Sequence, residues 1–231
     1  MFTRFAPRQL FIYRNSQFAY RSLTFKSAAA AMSSHKLDLM REILVDHDNM
    51  RDLRERFETA QKANDSELMG CIATTMIQEA SFHSDGEEMS VYKALDAHHL
   101  HDVAEHDRSD HNLVKQAFSK VDKLLMGPTR PDIDELVAGV REASDIFNKH
   151  AEDEEKNQYP KLLEKLNENG NTELTRDFLK ARNKAPSRPH PEAPQSGGAM
   201  QAAAGMMSKP LDALIQAWRK QVDLKHHHAE V

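Results

Sequence analysis

The strongest constraint on this chain is a motif that occurs twice. His83-Ser-Asp-Gly-Glu87-Glu88 leads to Tyr92 and Leu95, and His150-Ala-Glu-Asp-Glu154-Glu155 leads to Tyr159 and Leu162. Both read H-x3-E-E-x3-Y-x2-L, offset by 67 residues. A shorter echo precedes each copy. Asp46-His47 stands before Met50 and Arg51, and Asp110-His111 stands before Val114 and Lys115, offset by 64 residues. The chain therefore reads as two related helix pairs, each supplying a DH element and then an HxxxE element. One HxxxE arises easily by chance; the same order in both halves does not.

The periodicity around these motifs is helical throughout. From Leu37 to about Gln158 apolar residues recur at three-four spacing, without strand-like alternation. The spacing predicts helices over about Leu37–Ala60, Ser66–Leu95 and Leu100–Met126, the last stopped by Gly127-Pro128. A fourth starts near Pro131, with Asp132 and Asp134 at the positive end of its dipole. Pro160 lacks a backbone donor and clashes one turn back, so a break or kink is expected there. A further helix is expected over Thr172–Arg182. The fold class is all-α: an antiparallel up-down four-helix bundle with short C-terminal helices.

Residues four apart differ by roughly 40° around a helix, so His83 and Glu87 point the same way, as do His150 and Glu154. His111 lies on the apolar stripe of Val114, Phe118, Val121 and Leu125, and His47 on the stripe of Met40, Leu44 and Met50. All six groups then face the bundle interior. Burying four imidazoles and two carboxylates without partners costs several kcal/mol, on the order of the penalty for any unpaired buried polar group. A metal ion removes that cost by taking the lone pairs, and carboxylates from facing helices can bridge two metals. The candidate ligands are His47, His83, Glu87, His111, His150 and Glu154.

As a set these residues resemble the hemerythrin-like HHE cation-binding family over roughly residues 37–167, and the stretch RPHPEAP resembles its fungal members. The resemblance implies two iron ions in a non-haem, oxo- or hydroxo-bridged centre. His47 and His83 would serve one iron and His111 and His150 the other, with Glu87 and Glu154 bridging. Manganese or zinc tolerates a similar ligand set. The implied function is binding or sensing of dioxygen, nitric oxide or iron. A di-iron oxidase, a peroxidase-like or nitric-oxide-scavenging enzyme, and an interaction module stapled by metal are the alternatives. No organic-substrate pocket is evident, so binding ranks ahead of catalysis. The invertebrate oxygen carriers of the family place a further histidine four before His111. Here that position is Asp107, and His106 lies roughly 140° away by helix pitch.

Other acidic and aromatic residues flank the motifs. Glu88 and Glu155 rotate about 100° from the bridging positions, which places them either on a solvated face, the favoured reading, or behind the candidate ligands. Tyr92 and Tyr159, nine residues past their histidines, fall about half a turn off the ligand face and read as packing residues. Asp46 and Asp110 are candidates to orient other groups. His98, His99 and His101 read as a solvated loop, and His226, His227 and His228 as an adventitious nickel or zinc site.

Composition excludes several classes. The single cysteine, Cys71, rules out a disulfide framework or a CxxC site. No stretch approaches about 18 uninterrupted apolar residues, so no membrane span is expected. Residues 1–34 carry Arg4, Arg8, Arg14, Arg21 and Lys26 and no acid, the composition of a mitochondrial presequence. Initiation at Met32 would give a cytoplasmic product instead. Without that +5 the rest of the chain carries about −10, which argues against nucleic acid as a partner. The expected organisation is this tail, the bundle over 35–167, an extra helix over 168–184, and a Pro/Gly/Ala-rich linker over 185–209. An amphipathic segment with Trp218 and a His-rich tail follows over 210–231.

Overall fold

A computed structural model describes residues 36–127, 129, 131–192, 212 and 219–231. The basic tail over 1–34, most of the linker and Trp218 lie outside the described residues. The helices are α1 (Leu39–Lys62), α2 (Ser66–Met89), α3 (Val91–Ala97), α4 (His101–Leu125) and α5 (Ile133–Asp153). A π-helical turn (Glu154–Gln158), α6 (Tyr159–Leu163) and α7 (Glu168–Arg182) follow. Helices α1, α2, α4 and α5 pack in a closed ring, each against its two neighbours. This is the expected all-α four-helix bundle. The capping chemistry is local. Asp38, Asp65, Asp132 and Asn167 each accept backbone N–H groups of the first turn they precede. Asn64 takes a left-handed φ of 56° to turn α1 into α2.

Two interruptions depart from ideal helices and both matter for the site. The expected helix Ser66–Leu95 is broken at Ser90, whose backbone leaves helical geometry (φ −128°) and whose hydroxyl bonds the Gly86 carbonyl at 2.6 Å. The break expected at Pro160 takes the form of the π-helical turn before it. The turn spends an extra residue, and Pro160 then sits in the first turn of α6, where its missing N–H is tolerated.

The core is built in three layers along the bundle. One apolar layer contains Met50, Leu53, Phe57, Ile72, Met76, Phe118, Val140 and Phe147. The other contains Leu39, Ile43, Tyr92, Leu95, Ala104, Tyr159, Leu162 and Phe178. Between them every helix of the ring changes from apolar to polar: Asp46-His47, His83–Glu88, Asp107 with His111, and His150 with Glu154 are all buried. Helix α7 covers the outer face of α2 and touches α1. Its approach is close enough that a Cβ at Gly86 would lie 3.2 Å from both Arg182 and Phe178. This cover explains why α2 is buried on all sides from His83 to Glu88 rather than along one stripe.

Candidate metal centre

Each helix of the ring crosses the polar layer once and leaves its donors there. His47, His83, Glu87, His111 and Glu154 are fully buried and His150 is 2% exposed. One donor atom from each of His83, Glu87, His111, His150 and Glu154 falls within 4.8 Å of all the others. His47 is not one of those five but joins them through Glu154, its Nε2 lying 3.2 Å from Glu154 Oε2. Glu154 Oε1 lies 3.1 Å from His150 Nε2, and Glu154 Oε2 lies 3.8 Å from His83 Nε2. Glu87 Oε2 lies 3.5 Å from His83 Nε2 and 3.2 Å from His111 Nε2. Each carboxylate thus touches histidines from both halves of the repeat.

The outer ring nitrogens have acidic neighbours of their own. His47 Nδ1 meets Glu155 Oε1 at 2.7 Å, and Arg51 bonds the same oxygen at 2.6 Å. His83 Nδ1 lies 3.6 Å from Asp46, His111 Nδ1 lies 3.4 Å from Glu88, and His150 Nδ1 lies 3.7 Å from Asp110. A carboxylate at Nδ1 favours the proton there, which turns the Nε2 lone pair inward as a ligand. The remaining acids of the repeat therefore serve the histidines. Each DH aspartate faces the histidine of the next helix in the chain, and the second glutamate of each EE pair faces a DH histidine. The solvated face expected for Glu88 and Glu155 is corrected accordingly. Rotating about 100° inside a bundle aims a side chain at the neighbouring helix, not at water. Glu88 is fully buried beside Lys115, at 2.7 Å.

The inward atoms suit a cation. The Nε2 atoms of His47, His83 and His150, both oxygens of Glu87 and Glu154 Oε2 have no hydrogen-bond partner. Native interiors rarely leave so many buried polar atoms unpaired in one place. Four imidazoles and two carboxylates converging in a dry layer form a donor set of the kind that binds iron and similar metals.

Comparison with known proteins agrees. The model of the hemerythrin HHE cation-binding domain matches residues 38–162. This chain belongs to that family. An uncharacterised hemerythrin-like protein of Schizosaccharomyces pombe is 25% identical over 210 residues, spanning 88% of this chain and 98% of its own length. No solved structure matches.

The electrostatics of this hemerythrin-like centre show what a cation relieves. Burial, and then the neighbouring Glu154, push Glu87 well above the usual carboxylate range. Burial acts on Glu154 too, but His150 and His47 outweigh it and hold that carboxyl well below. Burial works against the charged form of His150, yet Glu154 and Asp110 drive it up to about 10. His111 is pushed well down by burial and by His150. Without a metal the two carboxyls are driven in opposite directions, Glu87 toward its neutral form and Glu154 toward its charged form. Metal ligands must be deprotonated, so a metal entering here displaces protons.

Sequence reasoning misread the two tyrosines and His228 and left Asp107 without a role. Tyr92 and Tyr159 are not merely packing residues. The Tyr159 hydroxyl donates to Glu154 Oε1 at 2.8 Å, and the Tyr92 hydroxyl lies 2.7 Å from His111 Nδ1. The π-helical turn and the break at Ser90 rotate both rings back toward the buried cluster; one extra residue shifts everything beyond it by about 100°. Asp107 is fully buried with neither oxygen bonded, and burial together with Glu154 pushes it up to about 8. Its signal was present in the sequence, one turn before His111. His106 is exposed and lies 3.6 Å from Asp110 and 3.4 Å from Asp153, outside the cluster. His101 pairs with Asp96 at the surface, as a solvated turn requires. His228 is not an adventitious site but a half-buried partner of Asp46, at 2.9 Å.

Proposed function

We propose that this chain is a non-haem di-iron protein of hemerythrin type that binds or senses dioxygen, nitric oxide or iron. One observation carries the reading: the donor set is doubled, with each of Glu87 and Glu154 in contact with histidines from both halves. His47 and His83 would hold one ion, His111 and His150 the other, with the two glutamates bridging. Iron bound there would supply coordination and redox chemistry toward diatomic molecules.

The chain's own residues set the conditions. The two apolar layers keep bulk water from the centre. Tyr159 donates to the Glu154 carboxylate and so limits its basicity. Asp107, beside the centre and close to neutral in its titration, can hold or release one proton. Access differs between the two halves. Asp46 is sealed beneath α7 and the C-terminal residues, whereas Asp110 borders an open depression lined by His106, Lys149, Asp153 and Asn157. Asp107 favours a second reading, an oxidase, peroxidase-like or nitric-oxide-scavenging enzyme, because such reactions consume protons. Among the described residues no helix is long and apolar enough to cross a membrane. We further propose mitochondrial delivery by residues 1–34, tested by fusing them to a fluorescent reporter; diffuse cytosolic signal would contradict it.

The test is metal content and the ultraviolet-visible spectrum of the full chain produced with iron. Two irons per chain, with near-ultraviolet bands that shift on adding azide, are expected. Glu87→Ala or His150→Ala should lose that stoichiometry. A metal-free folded protein or a single zinc would overturn the reading. Turnover of peroxide or nitric oxide above free-iron controls would move the assignment to the enzyme.

A further inference from the structure

Residues 219–231 carry no helix and run along the bundle, tied down at successive points. The Val222 amide donates to Thr75 Oγ1 at 3.0 Å, and Val222 and Leu224 pack on the first apolar layer. Arg56 donates to the Asp223 carbonyl at 2.8 Å. Asn49 grips the backbone of His226 twice, donating to its carbonyl at 3.0 Å and accepting from its amide at 2.9 Å. The strap ends at the polar layer. His228 places Nδ1 3.0 Å from Glu42 and Nε2 2.9 Å from Asp46 Oδ1, and the Ala229 amide also donates to Glu42, at 3.1 Å.

Asp46 is the carboxylate that faces the outer nitrogen of His83. Arg182 bonds both of its oxygens, at 2.9 and 3.0 Å, His228 bonds Oδ1 from the other side, and Oδ2 also lies 3.6 Å from His83 Nδ1. A carboxylate gripped by two partners from different segments cannot turn freely, so Oδ2 stays beside the imidazole. His47, His111 and His150 take their outer carboxylates from within the bundle alone; His83 takes one that the C-terminus holds in place.

We infer that His228 is a positioning residue of the metal centre, acting through Asp46 to keep the Nδ1 proton and the ring orientation of His83, so that the C-terminal strap is a working part of the site. The inference rests on the metal reading above for its purpose, but its first test does not need a metal. In metal-free full-length protein, nitrogen–proton spectra of the imidazoles report the tautomer of His83, assigned with His83→Gln. His228→Ala is expected to move the His83 ring signals. His228→Gln, whose amide can still donate to Asp46, restores them in part. Thr75→Val, which loosens the strap far from Asp46, leaves them in place.

In iron-loaded protein, His228→Ala should release metal to a chelator about 10-fold faster or more, the usual cost of losing a group that orients a ligand. Thr75→Val should not. Identical His83 signals in wild type and His228→Ala would overturn the inference. So would equal acceleration of metal loss by His228→Ala and Thr75→Val, which would make the strap merely structural. Failure of the wild type to hold iron would instead strike the di-iron reading and leave the His83 spectra to decide this one.

Discussion

Replacing Arg182 by methionine tests how the strap, α7 and the centre are joined. Arg182 lies almost wholly inside, bonding both oxygens of Asp46 at 2.9 and 3.0 Å and also bonding Glu79. Methionine keeps most of the aliphatic stem and removes the charge. Breaking a buried ion pair from one side costs about 3–5 kcal/mol, because the partner charge stays behind. His228 still faces Asp46, so the lower end, about 3 kcal/mol, is expected. At about 2–4 °C per kcal/mol for a chain of this size, the metal-free protein should melt roughly 6–12 °C lower. The penalty should also depend on pH. Burial pushes Asp46 up, but Arg182, His228 and His83 outweigh it and hold its carboxyl well below its ordinary 3.8. A depressed carboxylate contributes stability above its unfolded pKa and loses it as pH falls through the folded value. The variant forfeits that contribution, so its deficit should shrink once the pH falls below about 3.8, the ordinary carboxyl value. Adding Glu79→Gln should recover part of the loss by removing the second stranded carboxyl. Urea unfolding of metal-free protein at pH 7 and pH 3 measures all three. A deficit under about 1 kcal/mol at pH 7, the size expected of an exposed pair, or one equal at both pH values, would refute the argument.

Two further outcomes follow from the charges. Glu58 accepts two bonds from Arg141, at 2.9 and 2.6 Å, and one from Arg54 at 3.0 Å, and is held down at about 2 against an ordinary 4.5. The pair is partly open to solvent, so Glu58→Gln should cost only about 1 kcal/mol at pH 7. That cost should fade as the pH drops from 4.5 toward 2; a denaturation difference unchanged at pH 3 would count against it. Asp107 shows the opposite sign. Its carboxyl is raised to about 8, so the metal-free wild type loses stability as pH rises from its unfolded value through the folded one. Asp107→Asn should therefore be more stable than wild type when metal-free, by a margin that grows from pH 5 to pH 8, and a constant margin in paired urea titrations would sink the idea.

The fold and the convergence of the six candidate donors were legible because both depend on local rotation. His83 with Glu87 and His150 with Glu154 are one helical turn apart, and the stripes carrying His47 and His111 are apolar on either side. Asp107 was located on the same grounds, one turn before His111, but helix pitch alone does not show what a carboxyl there meets. Tyr92 and Tyr159 were misread where the rotation itself changes, at Ser90 and at the π-helical turn. Neither defect has a reliable local signature, although Pro160 marks where the second must be absorbed. Glu88 and Glu155 failed differently. Their angles were right, but a face read as solvent is covered by a neighbouring helix.

The repeat by itself determined an all-helical bundle and a doubled set of imidazole and carboxylate donors, because residues one turn apart share a face whatever surrounds them. Only the tertiary structure decided which acids stand behind which histidines, that two phenols reach the centre, and that Arg182 and His228 grip Asp46. Those contacts join residues 136 and 182 positions apart in the chain. No periodicity relates such positions. They are chosen by which surfaces the folded bundle leaves for α7 and the C-terminal strap to cover.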